Sequence, residues 1–348
     1  MLTNQVTVAI YGAGAMGTVL GTFLTLGGVQ THLISRNKKH IEALKEKGAT
    51  VDCLEGGKKI HAKVTALHPE EMQEKYDVIF LMTKQRDNEK TLACVKEFLK
   101  EEGIICTTQN GLPELSVSKA VGAERTYGGV ASWGANFFGE GKVQLTSRIE
   151  AMSIVVGGYK NDNAKTKLLT EILSAVGKVC GNQNFVRSTD NLAGARWAKL
   201  AINAAFSGLS TVTGLTFGEI AKRRKTKKIA LQLLRESYAV ATADGIETEK
   251  MQGHDLQKLL GGKGFFKTAF ALLILPLVMK NHQKLHSGML KDLETGKKCE
   301  IDYIDGVVSK VGAKHQILTP TMDKVVEIVH GIENGLYEIT PENIDFFN

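Results

Sequence analysis

Val6-Thr7-Val8-Ala9-Ile10-Tyr11-Gly12-Ala13-Gly14-Ala15-Met16-Gly17 decides the reading of the amino-terminal half. A short apolar run rich in β-branched residues enters GxGxxG, and Ala15–Leu26 then follows a helical pattern. A strand, a glycine turn and a helix in that order are the setting of a dinucleotide fingerprint. Gly12 permits the tight turn, Gly14 lets the backbone approach a pyrophosphate, and Gly17 lets helix and strand pack closely. The helix amino terminus offers unpaired N–H groups to the anion. Gly12, Ala13, Gly14, Ala15, Met16 and Gly17 are therefore the expected cofactor-binding loop.

Outward from this loop the alternation continues. Thr31–Ser35, Val78–Met82 and Gly103–Thr107 read as further strands, with helical patterns such as Asn88–Lys100 between them. Strands apolar on both faces, separated by helices, imply βαβ units and a mainly parallel sheet. Met152–Gly157, Ala164–Val176 and Lys178–Cys180 read as a closing strand-helix-strand piece. Beyond Thr189 long helical patterns take over: Asn191–Phe206, Glu219–Asp244, Phe265–Lys284, Glu300–Lys314 and Thr321–Asn334. The fold expected is an α/β doubly wound parallel sheet over residues 1–188, followed by an all-helical domain over residues 189–348.

Composition narrows the function. The 348 residues are 43% hydrophobic and 23% charged, which excludes a disordered chain. The net charge of +7 suits anionic small molecules, and aromatic and basic residues are not interleaved, so no nucleic-acid partner is expected. Cys53, Cys94, Cys106, Cys180 and Cys299 form no CxxC, which points to a reducing compartment, the cytoplasm, rather than a disulfide framework or thiolate zinc site. No secretory leader is expected. Thr268–Met279 is too short to span a membrane and contains Pro276, so no membrane partner is expected either.

The second strand bears on which dinucleotide binds. An NAD enzyme places Asp or Glu on the ribose hydroxyls about 20 residues after the fingerprint. Here the strand ends Ser35-Arg36-Asn37-Lys38-Lys39, without a carboxylate. A guanidinium can hold a 2′-phosphate with two charge-assisted hydrogen bonds, so NADP(H) is the expected cofactor, with Arg36 as its clamp.

Further candidates lie in order along the chain. Lys84 follows the third strand in Thr83-Lys84-Gln85, and Asn110 follows the fourth in Gln109-Asn110-Gly111-Leu112. Both positions are at carboxyl ends of strands, where open α/β sheets bind ligands. Lys199 and Asn203 lie four apart in Trp197-Ala198-Lys199-Leu200-Ala201-Ile202-Asn203, hence on one helix face. Glu300 opens Glu300-Ile301-Asp302-Tyr303-Ile304. With GAGAMG, its following Arg36, and Gly129–Ala135, this ordered set resembles the ketopantoate reductase family over nearly the whole chain.

The resemblance implies an amino-terminal Rossmann domain, a helical carboxyl-terminal domain, and NADPH and an α-keto acid in the cleft between them. It implies that Lys84, Asn110, Ala135 and Glu300 line the cofactor, that Lys199 donates the proton, and that Asn203 binds substrate. Hydride attack on a ketone builds charge on oxygen, which an ammonium can stabilise and protonate. A carboxylate such as Glu300 near Lys199 would hold it protonated, making the two the catalytic pair. Asn110 would orient the substrate.

The chain departs from the family pattern at its substrate side. A second Asn usual four residues beyond Asn203 is Ser207, and the Ser of a usual Ser-Met falls on Gly288, leaving Ser287 beside it. Phe217 stands where an Asn is expected, and Gly261–His286 is longer and greasier than typical. The expected activity is reduction of a 2-oxo acid to a 2-hydroxy acid, most simply 2-dehydropantoate to pantoate in pantothenate biosynthesis. A bulkier branched or aromatic 2-oxo acid fits the departures, and a non-catalytic NADPH-binding regulator is the alternative of another class.

Three remaining signals have plainer readings. Lys222–Lys228 reads as a solvated helix face. His282 and His286 have zinc-compatible spacing but no third ligand, so no metal is expected. Phe265-Phe266 and Leu272–Leu277 would be buried by neighbouring helices or by a second subunit in a homodimer.

Overall fold

The computed structural model describes residues 6–251 and 253–347. The chain forms two compact units, one running to Gln109 and resuming over Pro113–Leu192, the other comprising Asn110–Leu112 and the residues from Ala193 onward.

The first unit contains β1 (Thr7–Tyr11), α1 (Ala15–Leu26), β2 (Gln30–Ile34), α2 (Lys38–Lys47), β3 (Ala49–Cys53), β4 (Lys59–Ala62), β5 (Thr65–Leu67) and β6 (Tyr76–Leu81). Then come α3 (Asn88–Val95), β7 (Leu99–Thr107), α4 (Glu114–Val121), β8 (Thr126–Ala131), β9 (Ala135–Gly139), β10 (Lys142–Leu145), β11 (Ile154–Gly158), α5 (Thr166–Cys180) and β12 (Val186–Ser188). Eight strands form one sheet in the order β12-β11-β8-β7-β6-β1-β2-β5. All neighbours are parallel except β8 and β11. Val8, Ala9 and Ile10 of β1 are fully buried, as are Val78 through Leu81 of β6, because helices cover both faces of the sheet. β1 lies between β2 and β6, so the strand order reverses beside it and opens a crevice at its carboxyl end.

Two features of this unit differ from the sequence reading. β3, β4, β9 and β10 build a second, four-stranded sheet that the reading did not separate. Its strands are short, and β3 pairs in parallel with the distant β10, so no local hairpin signal announces that contact. Lys178–Cys180, expected as a strand, is the last turn of α5. Leu169, Ile172, Leu173, Val176 and Cys180 keep one buried helical face to that end. Gly181 then stops the helix in the left-handed conformation, with Asn182 N–H donating to Gly177 C=O at 2.8 Å. The closing strand is β12.

The second unit is helical. α6 (Leu192–Ile202) enters it and passes without a break into a π-helical turn, Asn203–Gly208. α7 (Leu209–Thr213), α8 (Phe217–Lys222), α9 (Arg224–Ala243), α10 (Leu256–Leu260) and α11 (Phe265–Val278) follow. α12 (Gly288–Glu294), α13 (Ile301–Lys314) and α14 (Pro320–Glu333) complete it. The core brings together Trp197, Phe206, Leu233, Ile304, Val325 and their neighbours.

The helix expected over Glu219–Asp244 is two. Thr216 and Glu219 form a reciprocal capping box that starts α8, whereas Arg223 is extended and breaks the run before α9. Buried Thr226 secures the break, its hydroxyl donating to Ile220 C=O at 2.8 Å. The basic residues Lys222, Arg223, Arg224 and Lys225 around this break are exposed.

Candidate active site

The glycine loop has the shape its sequence predicts. Gly12 adopts φ +110°, where a side chain is strained, and an added Cβ would lie 2.6 Å from the Met82 carbonyl carbon. A Cβ on Gly17 would lie 2.3 Å from Gly12 O, so α1 can approach β1 only through glycine. Gly14 differs from both: nothing stands within 4 Å of where its Cβ would be. Gly14 also caps α1 without any side-chain bond, and no acidic residue occupies the first turn. An exposed glycine with open space beside it, at an uncapped helix amino terminus, fits a pyrophosphate.

Backbone bonds join this loop to the ends of neighbouring strands. Gly12 N–H and Ala13 N–H both donate to Ile34 C=O, at 3.0 and 2.9 Å, and Met82 N–H donates to Tyr11 C=O at 2.8 Å. Arg36 lies two residues beyond β2, exposed, just before Asn37 caps α2 through its side-chain oxygen. Its guanidinium is ion-paired with the Asp87 carboxylate at 2.6 Å. His40 braces α2 against α1 and the second sheet. Its Nδ1 accepts from Gly141 N–H at 3.1 Å, so Nε2–H donates to Thr18 Oγ1, also at 3.1 Å. Burial lowers the pKa of His40 to about 4, which keeps that arrangement neutral and intact.

Lys84 is exposed after β6, and Asn110 is exposed after β7. The loops that carry them are organised by a buried amide pair the sequence reading missed. Gln109 Nε2 donates to Asn88 Oδ1 at 2.6 Å and to Thr83 C=O at 2.8 Å. Asn88 Nδ2 donates to Ser116 Oγ at 2.9 Å, and Thr107 Oγ1 donates to Gln109 Oε1 at 3.0 Å. Polar residues at the end of a buried strand were the available signal, because they are tolerated there only when fully bonded. Ala135 starts β9 in the second sheet and is half-buried.

In the helical unit, Lys199 lies on α6, and Asn203 and Ser207 lie on the π turn that continues it. A π turn widens the helix and shifts the faces its residues present, and such turns are frequent at functional sites. Lys199 is desolvated. Burial, reinforced by the neighbouring Arg196 guanidinium, brings its pKa down to about 7. Burial therefore opposes the expectation that a carboxylate holds this lysine protonated.

Glu300 is buried at the start of α13, and α13 packs against the π turn. Its flanking residues are fixed to α14: Cys299 N–H donates to Glu333 Oε1 at 2.8 Å, and Asp302 Oδ1 bonds His330 Nε2 at 3.1 Å. Ser287 is buried, caps α12 by accepting from Met289 N–H, and bonds Ser210 through its own N–H at 3.1 Å. Thr211, another residue the sequence reading missed, ties Ser287 to the helical segment that carries Ser207. Its Oγ1 is 3.0 Å from Ser287 Oγ and 2.7 Å from Ser207 C=O. Among the described residues no cluster of His, Cys, Asp and Glu could hold a metal, and no helix is long and apolar enough to cross a membrane.

Known proteins share this architecture and sequence. The family model described as ketopantoate reductase PanE/ApbA matches residues 8–160, and ketopantoate reductase PanE/ApbA C terminal matches residues 191–333. The 2-dehydropantoate 2-reductase of Lactococcus lactis is 26% identical over 333 residues, covering 94% of this chain and 98% of that one. The enzyme of the same name from Archaeoglobus fulgidus is 26% identical over 330 residues, with 94% and 98% covered. Among solved structures, D-mandelate dehydrogenase with NADH and anilino(oxo)acetate is 26% identical, with a TM-score of 0.80 and coverage of 95% and 99%. The 2-dehydropantoate 2-reductase of Geobacter metallireducens is likewise 26% identical, with a TM-score of 0.76 and coverage of 93% and 99%. With both models matched across most of its length, the chain belongs to the ketopantoate reductase family of oxidoreductases.

Proposed function

We propose that this protein reduces a 2-oxo acid to the 2-hydroxy acid with NADPH, the simplest substrate being 2-dehydropantoate, in pantothenate biosynthesis in the cytoplasm. The observation that carries the reading is Lys199: a lysine brought to about 7 by burial, on the helix whose π-helical continuation carries Asn203 and Ser207. An ammonium near neutrality is a competent general acid at neutral pH.

The residues Gly12, Ala13, Gly14, Ala15, Met16 and Gly17 would hold the pyrophosphate, Arg36 the adenosine 2′-phosphate, and Lys84, Asn110, Ala135 and Glu300 the rest of the dinucleotide. A nicotinamide bound there would supply the hydride that reduces the carbonyl carbon. As the C=O bond becomes a single bond, Lys199 Nζ stabilises the charge gathering on oxygen and gives it a proton, then regains one from water. Asn110, Asn203, Ser207 and Ser287 would orient the acid, and Glu300 would hold the lysine in place.

A second substrate reading has its own support. Ser207 and Gly288 stand where the family pattern has longer or hydroxyl-bearing side chains, and D-mandelate dehydrogenase is among the similar structures. A branched or aromatic 2-oxo acid would suit such a site. Following NADPH absorbance with 2-dehydropantoate, 2-oxoisovalerate and benzoylformate separates the readings. Oxidation with 2-dehydropantoate upholds the first, oxidation only with another acid upholds the second, and oxidation with none removes the enzymatic reading.

The exposed stripe Phe266, Phe270, Leu273 and Leu277 on α11 supports a homodimer, since its three- and four-residue spacing matches helix-on-helix packing. Substituting Phe270 and Leu273 with Glu and measuring the mass in solution tests it; an unchanged mass would exclude this face as the interface.

A further inference from the structure

We infer that Asp87 weakens the preference for NADPH over NADH by competing with the 2′-phosphate for Arg36. This rests on the assignment of the dinucleotide site and deepens it, because it names a residue that helps set cofactor choice. Arg36 is the basic side chain at the end of β2, and its guanidinium is already engaged, Nη2 to Asp87 Oδ2, at 2.6 Å. Asp87 precedes α3, on the segment just after β6, and is separated from Arg36 by 51 positions in sequence. No sequence window around the glycine fingerprint contains this carboxylate.

The chemistry runs against a 2′-phosphate in two ways. A guanidinium holds a phosphate best with two parallel N–H donors, and Asp87 occupies part of that fork. A phosphate monoester carries close to two negative charges at neutral pH, so a carboxylate beside the same guanidinium repels it. NADH has hydroxyls there instead, and a carboxylate tolerates hydroxyls or accepts hydrogen bonds from them. Arg36 is 68% exposed, so the pair is readily opened and NADPH is disfavoured, not excluded.

The test is direct binding of NADPH and NADH to the full chain, followed by nucleotide fluorescence without substrate, for the wild type, Asp87→Asn, Arg36→Ala and the double variant. Asp87→Asn is expected to tighten NADPH about two- to tenfold while leaving NADH within about twofold. The gain should shrink in 0.5 M salt and in the Arg36→Ala background. Unchanged or weaker NADPH binding by Asp87→Asn, or a gain that persists in full without Arg36, would overturn the inference alone. If the wild type binds neither nucleotide, the dinucleotide assignment fails with it.

Discussion

The carboxyl group of Asp305 on α13 is packed against Gly208, the last residue of the π turn: a methyl group added at Gly208 would lie 2.5 Å from Asp305 Oδ1 and 2.9 Å from Val325 Cγ1. Asp305 is fully buried, and neither of its oxygens has a hydrogen-bond partner among the described residues. The π turn and α13 thus meet through a glycine notch filled by an acid. Gly208→Ala is expected to lower stability by about 1–3 kcal/mol through overpacking, while Asp305→Asn, nearly the same shape, changes it by less than about 1 kcal/mol at about pH 4, where the acid keeps its proton in the folded chain. Chemical denaturation of both variants checks the pair.

The same carboxyl imposes a pH dependence. Burial raises its pKa well above the ordinary aspartate value, so the folded chain retains a proton that the unfolded chain releases above about pH 4. The folded state then binds more protons than the unfolded one, and stability falls as pH rises through that window. Asp305→Asn removes the slope. Unfolding free energies at pH 5 and pH 8 should therefore diverge less in the variant than in the wild type; equal divergence would mean the acid is ionised in the folded protein.

Lys199 has the opposite displacement, and the proposed role as proton donor gives that displacement a kinetic consequence. Its pKa of about 7 means that the donor form is lost as pH rises through neutrality, so kcat/KM for reduction should decline above about pH 7. Lys199→Ala should lower turnover on the order of 10²–10⁴-fold, and Lys199→Arg, which cannot release its proton, should not restore it. A pH–rate profile of the wild type alongside single-pH assays of the variants tests both statements.

The glycine loop separates folding from binding. Gly17→Ala should destabilise the first unit, because its Cβ would collide with the Gly12 carbonyl, whereas Gly14→Ala meets no protein atom within 4 Å. Gly14→Ala is thus expected to melt like the wild type yet bind dinucleotide at least about tenfold more weakly, since its methyl would fill the space proposed for the pyrophosphate. Melting curves and nucleotide titrations of the two variants make the contrast.

Asn88→Ala tests the amide pair behind Lys84 and Asn110. It leaves Gln109 Nε2 without its 2.6 Å acceptor in a buried position, for a loss of about 1–3 kcal/mol. Nucleotide affinity should fall as well, because the loop after β6 loses a tether. Denaturation coupled to nucleotide titration measures both; unchanged values would mean that the pair is replaceable by solvent.

The glycine loop, the strand-helix alternation and the shift to long helices were legible because each is local. A turn needs glycine at a given position, and burial periodicity shows within a few residues. The ordered residues from Lys84 to Glu300 were legible for the same reason, and so was their likeness to one family. Lys178–Cys180 misled because a few residues suit strand and helix equally, and only the continued buried face of α5 decides between them. The break at Arg223 misled because basic residues suit a solvated helix, whereas the capping box and the buried Thr226 end it.

The amino-acid order by itself determined where the glycine turn between β1 and α1 lies and which side chains are chemically able to serve a reductase. Tertiary structure alone decided their state: that Arg36 is held by Asp87, that Asp305 is stranded against Gly208, and that Lys199 titrates near neutrality. Charge pairing and desolvation depend on which groups meet in space, and Arg36 and Asp87, like Gly208 and Asp305, are far apart along the chain.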